Sequence, residues 1–288
     1  MIKILHLTDL HLCPAGETVV TFDPEARLAD CIADIHLRHA DADLCVVTGD
    51  LTDRGDVPSY VRLRQLLETM IVPVRLLLGN HDRRTAFKAV FPEAPTDENG
   101  FIQSALDLDD IRLIFLDTLD ESQPGGGVLC RQRLAWAERH ILDAGRRNVT
   151  VFLHHPPFDV GVEYFRHMLL AQGGDALLDL LSNHLGVRHL VFGHCHINLT
   201  GQRRGISFSG NCGTCHPIDV ELQGHSVKYV DRKPAYDILL LDRDRIITHT
   251  IELVGAREIV AVERADLDGG PGWLTILQSD LPGLENQH

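Results

Sequence analysis

The sequence predicts an α/β sandwich, a two-sheet core covered by helices. Three observations carry that expectation. Short apolar β-type runs alternate with stretches of helical spacing. A hairpin interrupts the alternation near the middle, and further β runs close it. Run after run stops in a polar loop that contains Asp, Asn or His.

The elements follow in order. Ile2–Thr8 is an apolar β run that ends in Asp9. Asp23-Pro24 supplies an N-cap and a first-turn proline for a helix to about Ala40. Leu44–Thr48 reads as a short buried strand stopped by Gly49-Asp50, and Val57–Met70 as a helix. Val72–Leu78 is a strand stopped by Gly79-Asn80-His81-Asp82. Phe101–Leu106 and Ile111–Asp117, with an acidic turn between them, form the hairpin. Leu129–Ala144 is helical, with Gly145 as its C-cap. Val149–Leu153 is a strand ending at His154-His155-Pro156-Pro157. Asp175–Leu185 is a helix, and Val187–Phe192 a strand ending at Gly193-His194-Cys195-His196. Ile206–Ser209, Tyr236–Leu241 and Arg245–Leu253 are the closing strands.

The chain of 288 residues suits one large domain with an appendage. We expect that domain over residues 1–255 and the appendage over 256–288, turn-rich from Asp266 and pinned by Trp273. Asn211–Pro234 has no clear period and is long for a connection, which marks a lid or an oligomer contact, the latter giving a homo-dimer or higher homo-oligomer.

Charge and cysteines narrow the partners. With 27 Lys and Arg against 41 Asp and Glu, the formal charge is −14, which repels a nucleic-acid backbone. A small anion remains a fitting ligand where local positive charge, such as a metal ion, cancels that field. The 17 histidines make metal the natural source. No apolar run approaches the ~20 residues a membrane span needs, and the N-terminal stretch lacks a signal-peptide pattern. Seven scattered cysteines read as reduced thiols, so we expect a cytoplasmic protein.

One regularity points to chemistry. Five strands end in Asp9-x-His11, Gly49-Asp50, Gly79-Asn80-His81-Asp82, His154-His155 and Gly193-His194-x-His196. Ligand sites of α/β sheets lie beyond the carboxyl ends of strands, so these loops can converge on one site. A single His or Asp at a strand end is usually just a loop residue; five such ends in a row are not. Asp9, His11, Asp50, Asn80, His154, His194 and His196 offer seven donors, whereas one tetrahedral metal needs three or four. Seven suit two ions with a shared carboxylate, and Asp50, on the second strand, is the natural bridge. The mix of imidazole, carboxylate and amide favours iron, manganese or zinc over calcium or magnesium.

These blocks, in this order, resemble the calcineurin-like metallophosphoesterase superfamily over residues 9–196. The His-His-Pro-Pro and Gly-Asn-His-Asp forms are similar to its class III cyclic-nucleotide phosphodiesterase and glycerophosphodiesterase branch. The resemblance implies a four-layer α/β/β/α sandwich of two mixed sheets flanked by helices. It implies one metal on Asp9, His11, Asp50 and His196, and a second on Asp50, Asn80, His154 and His194. A bridging hydroxide would attack phosphorus while His81 assists the leaving oxygen. Asp82 would orient His81 or cap the next helix, and Asn80, His81, His196 and His216 would contact substrate. The expected substrate is a small phosphodiester, 3′,5′-cyclic AMP first and a glycerophosphodiester second. A phosphomonoesterase, or a binding scaffold on the same fold, is the alternative reading.

Three neighbours need their own reading. His155 is expected to fix its loop through a backbone contact, and Cys195 to pack as a small apolar residue away from the metals. Cys212-Gly213-Thr214-Cys215-His216 fits the haem-attachment pattern C-x-x-C-H, and its thiols could also hold a structural zinc. Haem attachment requires export, so the favoured role is positional: either a lid that brings His216 to the substrate, or a plain loop.

Overall fold

The computed structural model describes residues 1–122, 125–253, 261–265 and 273–277. The chain divides into two units, Met1–Leu253 and Val254–His288. The first begins with β1 (Ile2–Leu7), α1 (Pro24–Arg38), β2 (Leu44–Val47), α2 (Val57–Leu67), β3 (Val74–Leu76) and α3 (Arg84–Val90). The hairpin β4 (Ser104–Leu108) and β5 (Ile111–Phe115) follows, then β6 (Gly127–Val128), α4 (Arg131–Leu142) and β7 (Asn148–Phe152). A 3₁₀ turn at Glu163–His167 leads to β8 (Leu170–Gln172), α5 (Gly174–Ser182), β9 (Val187–Phe192), β10 (Leu199–Arg203) and β11 (Ile206–Gly210). β12 (Ala235–Leu241) and β13 (Ile246–Glu252) complete the unit. In the second unit β14 (Ala261–Ala265) pairs antiparallel with β15 (Trp273–Leu277), and the turn-rich stretch 266–272 lies outside the described residues.

Two mixed sheets form the core. Strands run β13-β12-β1-β2-β3 in one and β10-β11-β9-β7-β5-β4 in the other. The parallel pairs β1–β2–β3 and β5–β7–β9–β11 point their carboxyl ends the same way within each sheet, which lets their following loops gather. Alternation along each strand builds the layers. Ile2, Ile4, Leu44 and Val46 face Leu113, Phe115 and Phe152 between the sheets. Leu5, Leu7, Cys45 and Val47 face Leu28, Ile35 and Leu63 of α1 and α2. Ile114, Val151 and Leu190 face Trp136, Ile141 and Leu178 of α4 and α5 on the far side. Helices thus cover both outer faces, as expected.

Local differences have local causes. Helix α1 starts where its proline predicts, with the Asp23 carboxylate accepting from the Ala26 amide. Helix α4 is capped by Asp143, and Gly145 takes its left-handed conformation (φ 62°) two residues further on. Helix α3 is too short to show a period, and β10 carries Thr, Gly, Gln and Arg, so apolar patterning found neither. All seven cysteines are free thiols, Cys195 buried among Val162, Phe165 and Ile197. Among the described residues, no helix is long and apolar enough to cross a membrane.

Candidate metal centre

The five polar strand ends meet at one place. Backbone bonds carry the pairing of β1 and β2 past the strand ends: the Asp9 amide donates to the Gly49 carbonyl at 3.0 Å and the His11 amide to the Asp50 carbonyl at 2.9 Å. The Gly193 amide donates to the His154 carbonyl at 3.2 Å, joining the fourth loop to the fifth. Asp9 accepts the His194 amide on both carboxylate oxygens, at 3.2 and 3.1 Å, so it ties the two sheets.

Five of the seven candidate donors sit in the left-handed region: Asp9 (φ 54°), His11 (47°), Asp50 (46°), His194 (71°) and His196 (51°). Each such residue costs about 1 kcal/mol or more, and it persists only where its surroundings over-determine it. The turns aim the side chains inward. Gly79 is required for room, since a β-carbon there would lie 2.7 Å from His154 Nε2 and closer still to Asp50 Oδ1.

Asp9, His11, Asp50 and His196 present ligand atoms all within 4.8 Å of one another. Beside them, His154 Nε2 lies 3.4 Å from Asp50 Oδ2 and 3.2 Å from Asn80 Oδ1, with the His194 ring 5.1 Å from that of His154. Asp50 therefore touches both groups, because its Oδ2 is also 3.7 Å from His11 Nε2.

Hydrogen bonds determine which ring nitrogen faces the centre. A carbonyl only accepts, so His154 Nδ1–H donates to the Thr48 carbonyl (2.8 Å) and His196 Nδ1–H to the His216 carbonyl (3.1 Å). His11 Nδ1–H donates to the Asp53 carboxylate at 3.3 Å. In each ring Nε2 is left toward Asp50 or Asp9, the outer-donor, inner-ligand arrangement of metal-binding histidines. The Nε2 atoms of His11 and His194 are buried with no hydrogen-bond partner among the described residues, a costly state that a cation would relieve.

Charge supports the same use. Burial holds His11 far below the ordinary imidazole range, His194 at about 3 and His196 at about 4, so all three are neutral at pH 7, the ligating form. His154 differs: burial pulls it down as well, but the Asp50 carboxylate outweighs it and raises the ring to about 9, so this imidazole is protonated at pH 7 and must release its Nε2 proton to ligate a cation. Burial likewise lifts Asp9 to about 6, whereas His154 and His81 hold Asp50 low against the same burial. The residues present fit the binding of metal cations.

His81 stands at the edge, about two-fifths exposed. Its Nδ1–H donates to the Asp53 carbonyl at 2.7 Å, its amide donates to Asp50 Oδ1 at 2.9 Å, and its ring lies 4.7 Å from that of His11. Burial acts to lower its pKa, but Asp50 and Asp53 overcome that and push it above the ordinary value.

Among the described residues Asp82 makes no hydrogen bond to His81 and no side-chain cap on a helix. Its carboxylate accepts the amides of Leu51 (3.1 Å), Thr52 (3.2 Å) and Gly79 (2.9 Å) and the Tyr60 hydroxyl (2.8 Å). Helix α3 begins later, after Arg83, with no side-chain cap. Asp82 clamps the second loop to the third. His155 fixes its loop through backbone and side chain together: its amide donates to the Thr118 hydroxyl oxygen at 3.4 Å and its Nδ1 lies 2.8 Å from the same hydroxyl, with its ring 4.7 Å from those of His154 and His194.

The segment 211–234 divides in two. Residues 211–218 are buried, because the Thr214 and Cys215 amides donate to the carbonyls of Thr8 and Asp9 at 3.1 and 3.2 Å. Residues 219–229 are mostly exposed. His216 stacks on His196 (4.3 Å between centroids) and lies 4.4 Å from His11, so the motif's histidine borders the centre. Burial holds both thiols protonated, Cys212 at about 12, and among the described residues no metal-holding cluster includes a cysteine. Two participants escaped the sequence reading. Asp53, which holds both His11 and His81, looked like any loop acid three residues past Asp50. Thr48 acts through its carbonyl, which no side-chain pattern reports.

Residues 2–198 match the family model described as calcineurin-like phosphoesterase, and the chain belongs to that family of hydrolases. It is 35% identical over 251 residues (86% of this chain, 91% of the relative) to a Rhodopseudomonas palustris protein named "Probable cyclic nucleotide phosphodiesterase". It is 30% identical over 251 residues (86% and 92%) to an Arcobacter nitrofigilis protein named "Probable glycerophosphodiester phosphodiesterase". Among solved structures, a dimetal phosphatase from Danio rerio superposes with a TM-score of 0.65 at 15% identity, over 96% of this chain and 98% of that one, a likeness of fold.

Proposed function

We propose that this chain is a dinuclear-metal phosphodiesterase of small phosphodiesters, with 3′,5′-cyclic nucleotides, cyclic AMP first, as its substrates. The observation that carries the reading is the orientation of His11, His154 and His196. Each gives its Nδ1 proton to an oxygen outside the centre and turns Nε2 toward a carboxylate of Asp9 or Asp50. Asp9, His11, Asp50 and His196 would hold one ion, and Asp50, Asn80, His154 and His194 the other. Iron, manganese and zinc suit that donor set. Two such ions supply the charge that draws in a phosphate and the lowered pKa of the attacking water.

The chain's own groups do the rest. Asp50, in contact with both donor groups, sets their spacing. His81, with Nδ1–H committed to the Asp53 carbonyl, keeps Nε2 for the substrate, and its raised pKa favours a proton there for the leaving oxygen. His216, beside His11 and His196, borders the phosphate position from the opposite segment. A cytoplasmic setting, consistent with seven free thiols, belongs to the same reading.

Glycerophosphodiesters are the second reading, favoured by the Arcobacter nitrofigilis relative. Metal analysis with a panel of cyclic nucleotide, glycerophosphodiester and phosphomonoester separates them. The proposal expects two ions per chain and highest kcat/KM on the cyclic nucleotide. A metal-free protein with no hydrolysis would make it a binding scaffold.

A further inference from the structure

An aromatic ring stands at the mouth of the centre without a structural need to be there. Tyr229 is 46% exposed, although tyrosine normally buries its ring and leaves only the hydroxyl wet. The backbone nevertheless fixes it. Ile218 and Tyr229 form an antiparallel bridge, flanked by the Asp219 amide to the Lys228 carbonyl (2.8 Å) and the Val230 amide to the Pro217 carbonyl (3.1 Å). These bonds fold residues 217–230 back on themselves and hold Tyr229 two positions across from His216.

The rings then form a sequence leading outward. His216 lies 4.4 Å from His11 and 4.3 Å from His196, and Tyr229 meets His216 at 5.3 Å, 67° to its plane. Ile218, the bridge partner of Tyr229, belongs to a buried apolar cluster with Val162, Phe165 and Ile197, on which Tyr164 and Val227 pack, so apolar side chains lie next to a polar centre. Burial first, then Tyr164 and Asp53, raises the Tyr229 hydroxyl's pKa.

We propose that Tyr229 is a specificity residue, a stacking wall for the base of a nucleotide whose phosphate sits among the histidines. In a cyclic nucleotide only the ribose separates phosphate from base, so the base reaches the next position outward, where Tyr229 stands. A π-face accepts any base, and the contact strengthens binding without touching the reacting atoms. This rests on the cyclic-nucleotide reading above.

The test uses the metal-loaded full chain and Y229F, Y229L and Y229A. It measures kcat/KM on 3′,5′-cyclic AMP and on glycerophosphoethanolamine, which has no ring, and calorimetric binding of 5′-AMP and of inorganic phosphate. Y229L and Y229A should lose about 5- to 100-fold on cyclic AMP, mainly in KM. Y229F should stay within about twofold, since it keeps the ring. Turnover of glycerophosphoethanolamine and binding of phosphate should not change, while 5′-AMP binding weakens with cyclic AMP turnover. Equal losses on both substrates and both ligands, unchanged ratios, or a Y229F defect as large as that of Y229A would overturn the stacking role and leave the substrate reading intact. A wild-type protein that cleaves glycerophosphoethanolamine but not cyclic AMP would overturn the substrate reading and the stacking role with it.

Discussion

Oδ2 of Asp50 lies 3.4 Å from Nε2 of His154, whose opposite nitrogen has its proton committed to the Thr48 carbonyl. The same oxygen is 3.7 Å from His11 Nε2 in the other donor group. One carboxylate thus sits between two sets of nitrogens that the fold turns inward, and the predictions below follow from its place and from its neighbours.

Asp50→Ala should empty both sites, because each loses a donor and the spacing between them. Metal content should fall from two per chain to well below one, with turnover abolished. Retention of two ions and near-normal activity would show that the carboxylate is not shared.

His81→Ala should lower kcat by about 10²- to 10⁴-fold with metal content unchanged, since seven other donors remain. An alkoxide leaving group should suffer more than a nitrophenolate, which barely needs a proton. Equal losses for both would argue that His81 stabilises charge and donates no proton.

Asp82→Ala should be a stability variant. It strips acceptors from the amides of Leu51, Thr52 and Gly79, each a buried donor that costs about 1–3 kcal/mol unpaired. Denaturant unfolding should show a loss of about 3 kcal/mol or more, against about 2 kcal/mol for Tyr60→Phe, which removes two bonds, the hydroxyl's own to Asp82 and the one it accepts from the Arg83 amide. A stable Asp82→Ala protein with a His81-like kinetic defect would return Asp82 to the chemistry.

Stability should fall in acid partly through His189. Its ring is bonded to the hydroxyls of Ser207 (2.7 Å) and Ser209 (2.9 Å), and burial, then His6, pushes its pKa from 6.5 to about 4. The folded state takes up this proton less readily than the unfolded chain. The contribution is therefore whole above pH 6.5 and is lost as pH falls toward 4, at about 1.4 kcal/mol per unit. His189→Gln, which keeps a polar partner for the serines but cannot titrate, should flatten the stability profile between those limits. An unchanged slope in pH-dependent denaturant unfolding would contradict the assignment.

The layers and the donor set were legible for a physical reason: both follow from local pattern. Strands buried on both faces read as short apolar runs, and their polar stops at Asp9, Asp50, Asn80, His154 and His194 are visible without knowing the fold. What escaped depends on contacts distant in sequence. Asp82 sits beside His81 in the chain, yet its bonds run to Leu51, Thr52 and Tyr60. Residues 211–218 look polar and loop-like, but their amides continue the hydrogen bonding of the first loop and are buried by it. Tyr229 carried no signal at all, because its meaning comes from the bridge to Ile218.

The central claim is that two ions share Asp50, and manganese reports on it directly. The protein should be loaded with Mn²⁺, its stoichiometry measured, and its electron paramagnetic resonance spectrum recorded. Two ions per chain with a spin-coupled spectrum, lost in Asp50→Ala, is the predicted result. One ion per chain, or two whose spectra are those of isolated Mn²⁺, would contradict it.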